Sequence, residues 1–216
     1  MDFIPSSIDI FELLILLLSC FIGAIISTTI GTGGGLLVIG GMSLVLPITA
    51  LLSIHASVQA GSGVLRSFLF RKFFLKKFFI LFSIGSIIGF FFSTKMLISL
   101  DENILKLFLG FGIVILTFLP NLKIDNISNL TILFFGIITG FLTMFIGVVA
   151  PILGILLTSM IKDKHLIVGT LAWCISFQNF SKALIFGQIG FDYTFWFILI
   201  LLLIIVSYLG TLIGKR

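Results

Sequence analysis

The sequence predicts an all-α polytopic membrane protein, built from about nine transmembrane or half-spanning helices in two inverted repeats. Three observations lead there: the apolar content, the length of the apolar runs, and an internal correspondence between the two halves. Of the 216 residues, 59% are hydrophobic and only 10% are charged, with a mean hydropathy of +1.35. Soluble domains carry about 25% charged residues. A soluble core has no room for this much apolar surface, so most of the chain must face lipid or other lipid-embedded helices. The runs are long and continuous, which excludes the short alternating segments of a β-barrel.

Each element follows from an apolar run bounded by charges or by Gly/Pro breaks, taking roughly 20 residues as one span. The runs fall at 8–30, 36–53, 54–70, 78–99, 103–119, 129–146, 148–161, 165–187 and 193–213. The run 148–161 is too short to cross alone. The first run follows an acidic start, MDFIPSSIDIFE, where a cleaved leader would be basic, so it is expected to be a retained helix. Two breaks interrupt longer runs: Gly31-Thr32-Gly33-Gly34-Gly35 and Gly147-Val148-Val149-Ala150-Pro151. Cys20 and Cys174 both lie in apolar runs, far apart, and read as buried small hydrophobes. No metal-ligand or cofactor pattern is present. The net charge of +5 is distributed as loop punctuation, without the basic and aromatic patch of a nucleic-acid surface.

If every run crosses once, one side collects Arg71, Lys72, Lys76, Lys77, Lys123, Lys162, Lys164, Lys215 and Arg216. The other collects Asp2, Asp9, Asp101, Glu102 and Asp192. Lys and Arg near helix ends favour the cytoplasmic face. The expected topology in the cell membrane therefore has the N-terminus outside and the C-terminus in the cytoplasm.

Shifting the chain by 116 residues lays Gly31 on Gly147, Gly35 on Pro151 and Arg66 on Lys182. Those two cations are the ones set within apolar runs that carry a polar stripe. Five runs separate equivalent helices, an odd number, so the second copy is expected to be inserted upside down. Residues 1–119 form the first repeat and 120–216 the second. Inverted repeats with broken helices are a layout of secondary transporters, with the site at the repeat interface.

The chain resembles the TauE/SafE family of membrane permeases, the sulfite exporters. The resemblance rests on Gly31-Thr32-Gly33-Gly34-Gly35 and on the segment from His55 through Gln59, Gly61, Ser62 and Gly63 to Arg66. In the second half it rests on Gly140 to Gly147 with Pro151, then on Gly169-Thr170 through Gln178 to Lys182 and Phe186-Gly187. It covers nearly the whole chain. The second Gly-rich turn of the family is often GxGGG, and here it is Gly-Val-Val-Ala-Pro. The resemblance implies transport of small sulfur-containing anions such as sulfite or sulfonates.

The candidate substrate-binding residues are His55, Gln59, Ser62, Arg66, Gln178, Asn179 and Lys182, with Gly31, Gly33, Gly34, Gly35 and Gly147 at the breaks. His55, Gln59, Ser62 and Arg66 recur along one helical face. A guanidinium binds an oxyanion with two parallel hydrogen bonds. The competing reading is that Arg66 snorkels to the interface near Arg71. Lys182 acts either as a substrate contact or as the partner of Glu12 or of a carbonyl. His55 is either a proton carrier or a wet residue near a helix end. Gln59 and Ser62 either donate to an anion or join helices. An unwound Gly-rich stretch frees amides, and the helix that starts there points its positive end at the break. Gly85, Gly89, Ser93, Gly210 and Gly214 read as packing faces.

The expected partners are a small anionic substrate and the lipid bilayer, and a homo-oligomer is compatible with the sequence. A non-transporting scaffold gives no use to two intramembrane cations. A hydrolase using Ser62 lacks a placed acidic partner for His55 or His165.

Overall fold

The structure is a computed structural model that describes residues 8–120 and 123–215. Asp2 and Arg216, used in sorting the loop charges, lie outside the described residues. Among the latter the secondary structure is entirely helical: α1 (Ile10–Thr29), α2 (Gly34–Ser43), α3 (Ile48–Leu69), α4 (Lys76–Ser99), α5 (Glu102–Thr117), α6 (Asn129–Ile146), α7 (Ala150–Met160), α8 (Lys164–Gln188) and α9 (Tyr193–Gly214). By length and composition, α1, α3, α4, α6 and α9 are each long and apolar enough to cross a bilayer.

Helix ends that fall near loops are closed by short polar side chains. The Asp9 carboxylate accepts from the Glu12 amide at 2.7 Å while Glu12 accepts from the Asp9 amide at 2.9 Å. Ser128 and Thr131 form the same reciprocal box at the start of α6. Asp101, Asp163 and Asp192 cap α5, α8 and α9. Each cap satisfies amides that have no partner within the helix.

One boundary differs from the sequence expectation. The runs 36–53 and 54–70 were to meet at 53/54, but α2 ends at Ser43 and α3 begins at Ile48, behind Pro47. Proline lacks an N–H and has a φ preset for a helix start, so the new helix begins there. The stretch 36–53 is therefore not a crossing helix. α2 has 10 residues and α7 has 11, about 15 Å each, half of a ~30 Å hydrocarbon core.

Glycines show which helices touch and in which direction. A Cβ on Gly85 would meet Leu133, Gly136 and Ile137, and one on Gly89 would meet Ile137, Gly140 and Phe141. Positions rise together, so α4 and α6 lie side by side and parallel. Gly210 against Phe21 and Ala24, and Gly214 against Ile25 and Thr28, make α1 and α9 a second parallel pair. Gly34 against Gly23 and Ser27, with Gly41 against Ser19, folds α2 back antiparallel along α1. α3 and α8 cross antiparallel, with Gly63 on Ser176 at the middle and Phe70 on Gly169 and His165 at one end. These directions match a chain that reverses at each successive run. Small residues on these faces let backbones approach closely, which is how helices associate without a hydrophobic drive between them.

Two regularities relate the halves. α2 and α3 start at Gly34 and Ile48, and α7 and α8 start 116 residues later at Ala150 and Lys164. The first helix of each half also packs on the last long helix of the other: α1 on α9 and α6 on α4. At the centre is α3, whose apolar window is 72% buried, against 33% for α1 and α9. Large apolar residues project outward instead, among them Phe11 and Leu18 on α1, Phe91 and Phe92 on α4, Phe111 on α5 and Phe195 and Ile205 on α9.

The loop charges separate by end with a few exceptions. Lys95 and Lys106 lie toward the end that carries Asp101 and Glu102; Lys106 pairs with Glu102 at 3.9 Å and Lys95 sits over the Phe91 ring at 4.6 Å. Asp125 and Asp163 lie toward the basic end, where Asp163 caps α8.

Two glycine substitutions should have opposite effects on thermal unfolding in detergent. A Cβ on Gly136 would strike the Phe82 carbonyl and approach the Gly85 Cα to 3.1 Å, so Gly136→Leu should destabilise by roughly 1–3 kcal/mol or more through overpacking. Gly110 has no atom within 4 Å of its notional Cβ, so Gly110→Ala should raise stability by up to about 1 kcal/mol through helix propensity. Equal melting shifts of either sign would contradict this packing.

Candidate functional site between two broken helices

The site begins with three residues whose backbone only glycine adopts readily. Gly31, Gly33 and Gly147 have φ of 90°, 89° and 82°, in the region that costs a side-chain-bearing residue roughly 1–2 kcal/mol. They end α1 and α6 and turn the chain into α2 and α7. The two turns then meet. A Cβ on Gly35 would lie 3.3 Å from the Val148 side chain, Gly147 abuts Ile39, and Gly154 abuts Thr32. The half-helices thus pass each other antiparallel, with their first turns overlapping. Neither has a side-chain cap: the N-cap positions are Gly33 and Val149. The positive ends of their dipoles therefore lie at the breaks, with α7 presenting one amide fewer than α2 because its second residue is Pro151.

α3 and α8 line that space. With the breaks, His55, Gln59, Arg66, Gln178 and Asn179 surround a cavity of about 20 Å³, closed on other sides by Ser27 and Thr143. This is room for one water molecule. All five side chains are buried. No carboxylate reaches this level among the described residues. Glu12 is half-buried in its capping box, and Asp9, Asp101, Glu102, Asp125, Asp163 and Asp192 are exposed.

Arg66 does not snorkel. It is 4% exposed, it lines the cavity, and its Nε has no hydrogen-bond partner. Nor is His55 a wet residue. It is 1% exposed in the second turn of α3, because that helix starts six residues earlier than the sequence implied. Its ring nitrogens make no hydrogen bond of good geometry and face the backbone of Gly35. Gln59 lies against Gly35, with its Nε2 3.6 Å from the notional Cβ there.

Lys182 is placed differently from expectation. It is fully buried and near His55, but it is not on the cavity wall. Its Nζ donates to the Thr143 carbonyl at 2.7 Å and lies 5.6 Å from the Phe186 ring centre. Thr143 is in the last turn of α6, so the ammonium sits on the negative end of that helix where the break begins. Its partner is a carbonyl and not Glu12. The two cations therefore do not converge on one cavity: Arg66 borders it directly, and Lys182 acts through Thr143.

Gln178 has a fixed orientation. Its Nε2 donates to Ser86 Oγ and to Thr139 Oγ1, both at 2.9 Å. Those hydroxyls donate to the carbonyls of Phe82 at 2.9 Å and Phe135 at 2.7 Å, so toward Gln178 they can only accept. Asn179 is fixed likewise, since its Nδ2 donates to the Ile175 carbonyl at 2.9 Å. Both amides thus tie helices or turns with their nitrogens, and neither offers these donors to an anion.

The remaining expected residues divide. Ser62 borders a narrow adjoining pocket that shares Arg66, Gln59 and Ser27 with the cavity. Gly34 is a packing residue against Gly23 and Ser27 of α1. Gly33 opens onto an apolar groove of about 760 Å³ between α1, α2, α5 and α7. Ser27, Thr143, Ser86 and Thr139 were not anticipated. A signal for the first two was present: they are 116 residues apart, the same offset that relates Arg66 to Lys182.

The fold and the site define a multi-pass membrane protein in which two antiparallel half-helices meet beside a buried arginine. The chain belongs to the sulfite exporter TauE/SafE family, whose model matches residues 15–216, and it is accordingly a membrane protein of a transporter family. Comparison with curated proteins and with solved structures returned no match in either case.

The two turns should tolerate no side chain. Gly31→Ala and Gly147→Ala should each lower stability by about 1–2 kcal/mol from backbone strain. Gly147→Ala should be the worse, because Ile39 already occupies the Cβ position. Thermal melts in detergent check the order, and an unchanged melt for Gly147→Ala would mean that the turn is not built this way.

Proposed function

We propose that the chain is a carrier for a small sulfur-containing anion, sulfite or a sulfonate, working by alternating access of two inverted repeats. The repeats are 1–119 and 120–216, set in the cell membrane with the N-terminus outside and the C-terminus in the cytoplasm. The observation that carries this reading is the buried Arg66, unpartnered at Nε, beside two uncapped helix starts. A charge at membrane depth costs about 2.5–3.5 kcal/mol on insertion scales. It is retained where it meets a substrate or a counter-ion, and among the described residues no carboxylate lies near.

In this reading the anion enters between the half-helices. The guanidinium holds two of its oxygens, and the positive ends of α2 and α7 face it from opposite sides. Lys182 supplies a second positive charge through the Thr143 carbonyl end of α6. The cavity of about 20 Å³ is smaller than such an anion, so loading requires the half-helices to part. The shared offset of 116 residues and the exchange of α1 on α9 for α6 on α4 support a rocking of one half against the other.

Flux of labelled sulfite and sulfonates into proteoliposomes tests the reading. Arg66→Lys keeps the charge and loses the planar fork, so flux should fall. Lys182→Ala should weaken anion binding less than a lost direct contact would, since its charge reaches the site only through the Thr143 carbonyl, while the exposed Lys123→Ala should change little. Normal flux in both Arg66→Lys and Lys182→Ala at matched expression defeats the central site. Orientation is checked separately: single cysteines at positions 73 and 190, in a background lacking Cys20 and Cys174, should label from opposite faces.

A further inference from the structure

The apolar groove beside Gly33 is separate from the cavity and has a chemistry of its own. It holds about 760 Å³ between α1, α2, α5 and α7. Its walls are aliphatic, from Ile26 and Ile30 on α1, Leu36 on α2, Leu116 on α5 and Ile155 on α7. Thr117 and Thr158 also line it, but their hydroxyls turn back on their own helices. Thr117 Oγ1 donates to the Ile113 carbonyl at 2.7 Å, and Thr158 Oγ1 to the Gly154 carbonyl at 2.8 Å. A molecule lying here would therefore meet methyl and methylene groups.

The corresponding face of the first half is covered by protein. Ile39 and Met42 of α2 are fully buried in one cluster with Leu105, Leu109 and Leu116 of α5. The 116-residue offset carries Ile39 to Ile155 and Met42 to Thr158, and both of these border the groove instead, with Thr158 exposed. α7 thus leaves open a face of the kind that α2 buries.

Two features say what fits there. The first is depth. Along α7 the groove runs from Pro151 to Thr158, a rise of about 10 Å, which lies within one leaflet of a ~30 Å hydrocarbon core. The second is charge at its outer end. Lys162 follows Thr158 by four residues, and Lys164 precedes Ile167, another lining residue, by three. Lys123 adjoins Ile124, whose amide donates to Ser159 Oγ at 3.1 Å. Lys215 adjoins Gly214, which packs on Thr28 near the end of α1. All four lysines are exposed, and among the described residues none is in an ion pair. Two carboxylates share this end. Asp163 gives one oxygen to the His165 and Leu166 amides, and Asp125 is exposed.

We propose that the groove seats an anionic phospholipid from the leaflet at the basic end. One acyl chain lies along α7, and the headgroup sits among Lys123, Lys162, Lys164 and Lys215. Hydrocarbon matches the walls, a chain confined to one leaflet matches the depth, and lysines at a membrane surface attract an anionic headgroup. A spanning helix would need walls through both leaflets. The chain covers α7 on the side away from the cavity, as α5 covers α2.

The test follows thermal unfolding of the full chain in detergent with added phosphatidylglycerol or phosphatidylcholine of the same acyl chains. Phosphatidylglycerol should raise the melting temperature by several degrees more, because a ligand held only by the folded state stabilises it. Lys162→Gln combined with Lys164→Gln should remove most of that difference. Thr158→Trp fills the groove from an exposed position, so it should melt normally without lipid and lose the response to phosphatidylglycerol. Phosphatidylglycerol with a photoreactive group in its chain should label residues 151–158 severalfold more than the outer face of α4 around Phe91 and Phe92. Equal melting with the two lipids, a response that survives either the lysine pair or Thr158→Trp, or uniform labelling overturns the proposal. So does a disulfide-linked pair through a cysteine at position 158 in membranes, in a background lacking Cys20 and Cys174, since a second copy would then cover the groove.

Discussion

Unwound backbone inside a bilayer is the constraint on which the rest of this structure depends. Each amide or carbonyl freed from a helix in hydrocarbon costs several kcal/mol unless something satisfies it. The chain is unwound twice, at Gly31–Gly33 and at Gly147–Val149; Gly31 and the second turn line the inner cavity, and Gly33 borders the outer groove. Their carbonyl sides are answered from within the protein. The Thr143 carbonyl takes the Lys182 ammonium as well as the Gly147 amide, and the Ser27 carbonyl takes the Gly31 amide. The two breaks themselves, at Gly31, Gly35 and Gly147–Ala150, border a shared cavity. The position of α3 and α8 follows, because these two helices bring most of the polar side chains that line it, with Ser27 of α1 and Thr143 of α6 completing the wall.

The same economy explains why α3 and α8 are the polar helices of an apolar chain. Gly63 and Ser176 let them cross closely, and Ser67 Oγ reaches Ser176 Oγ at 3.4 Å. From that crossing, α8 extends Gln178 to the α4–α6 pair, where Ser86 and Thr139 hold it. One side chain therefore joins three helices, including the parallel pair whose glycines leave no room for larger residues. A side chain fixed by structural bonds on its nitrogen has little freedom left where it borders the cavity.

Much of this was legible in the sequence. Long apolar runs and polar loop ends placed most helices, since hydrophobicity and capping act locally. The 116-residue correspondence pointed to Arg66, Lys182 and both breaks, because it reads equivalent backbone positions without needing their contacts. Most of what failed was nonlocal, with one local signal missed. Pro47 was overlooked as a helix start within a continuous apolar run, and the misplaced boundary made His55 look peripheral. The burial of Arg66 depends on α1 and α2 packing over it, which no local pattern encodes. The position of Lys182 behind Thr143 depends on how the end of α6 lies against α8. The donor and acceptor sense of Gln178 depends on two hydroxyls from other helices.

The two broken segments share an offset of 116 residues and differ in chemistry, and that difference falls at the cavity. Gly31 and Gly147 share a left-handed turn, but one is followed by Gly33-Gly34-Gly35 and the other by Val149-Ala150-Pro151. Where the first half has Arg66 facing the space, the second has Lys182 turned to a helix end. Where the first has Ser62, the second has Gln178, locked by its nitrogen. A strictly symmetric pair would offer an anion two identical positive faces. This pair offers a guanidinium at the cavity on one side and, on the other, an ammonium held back at the end of α6.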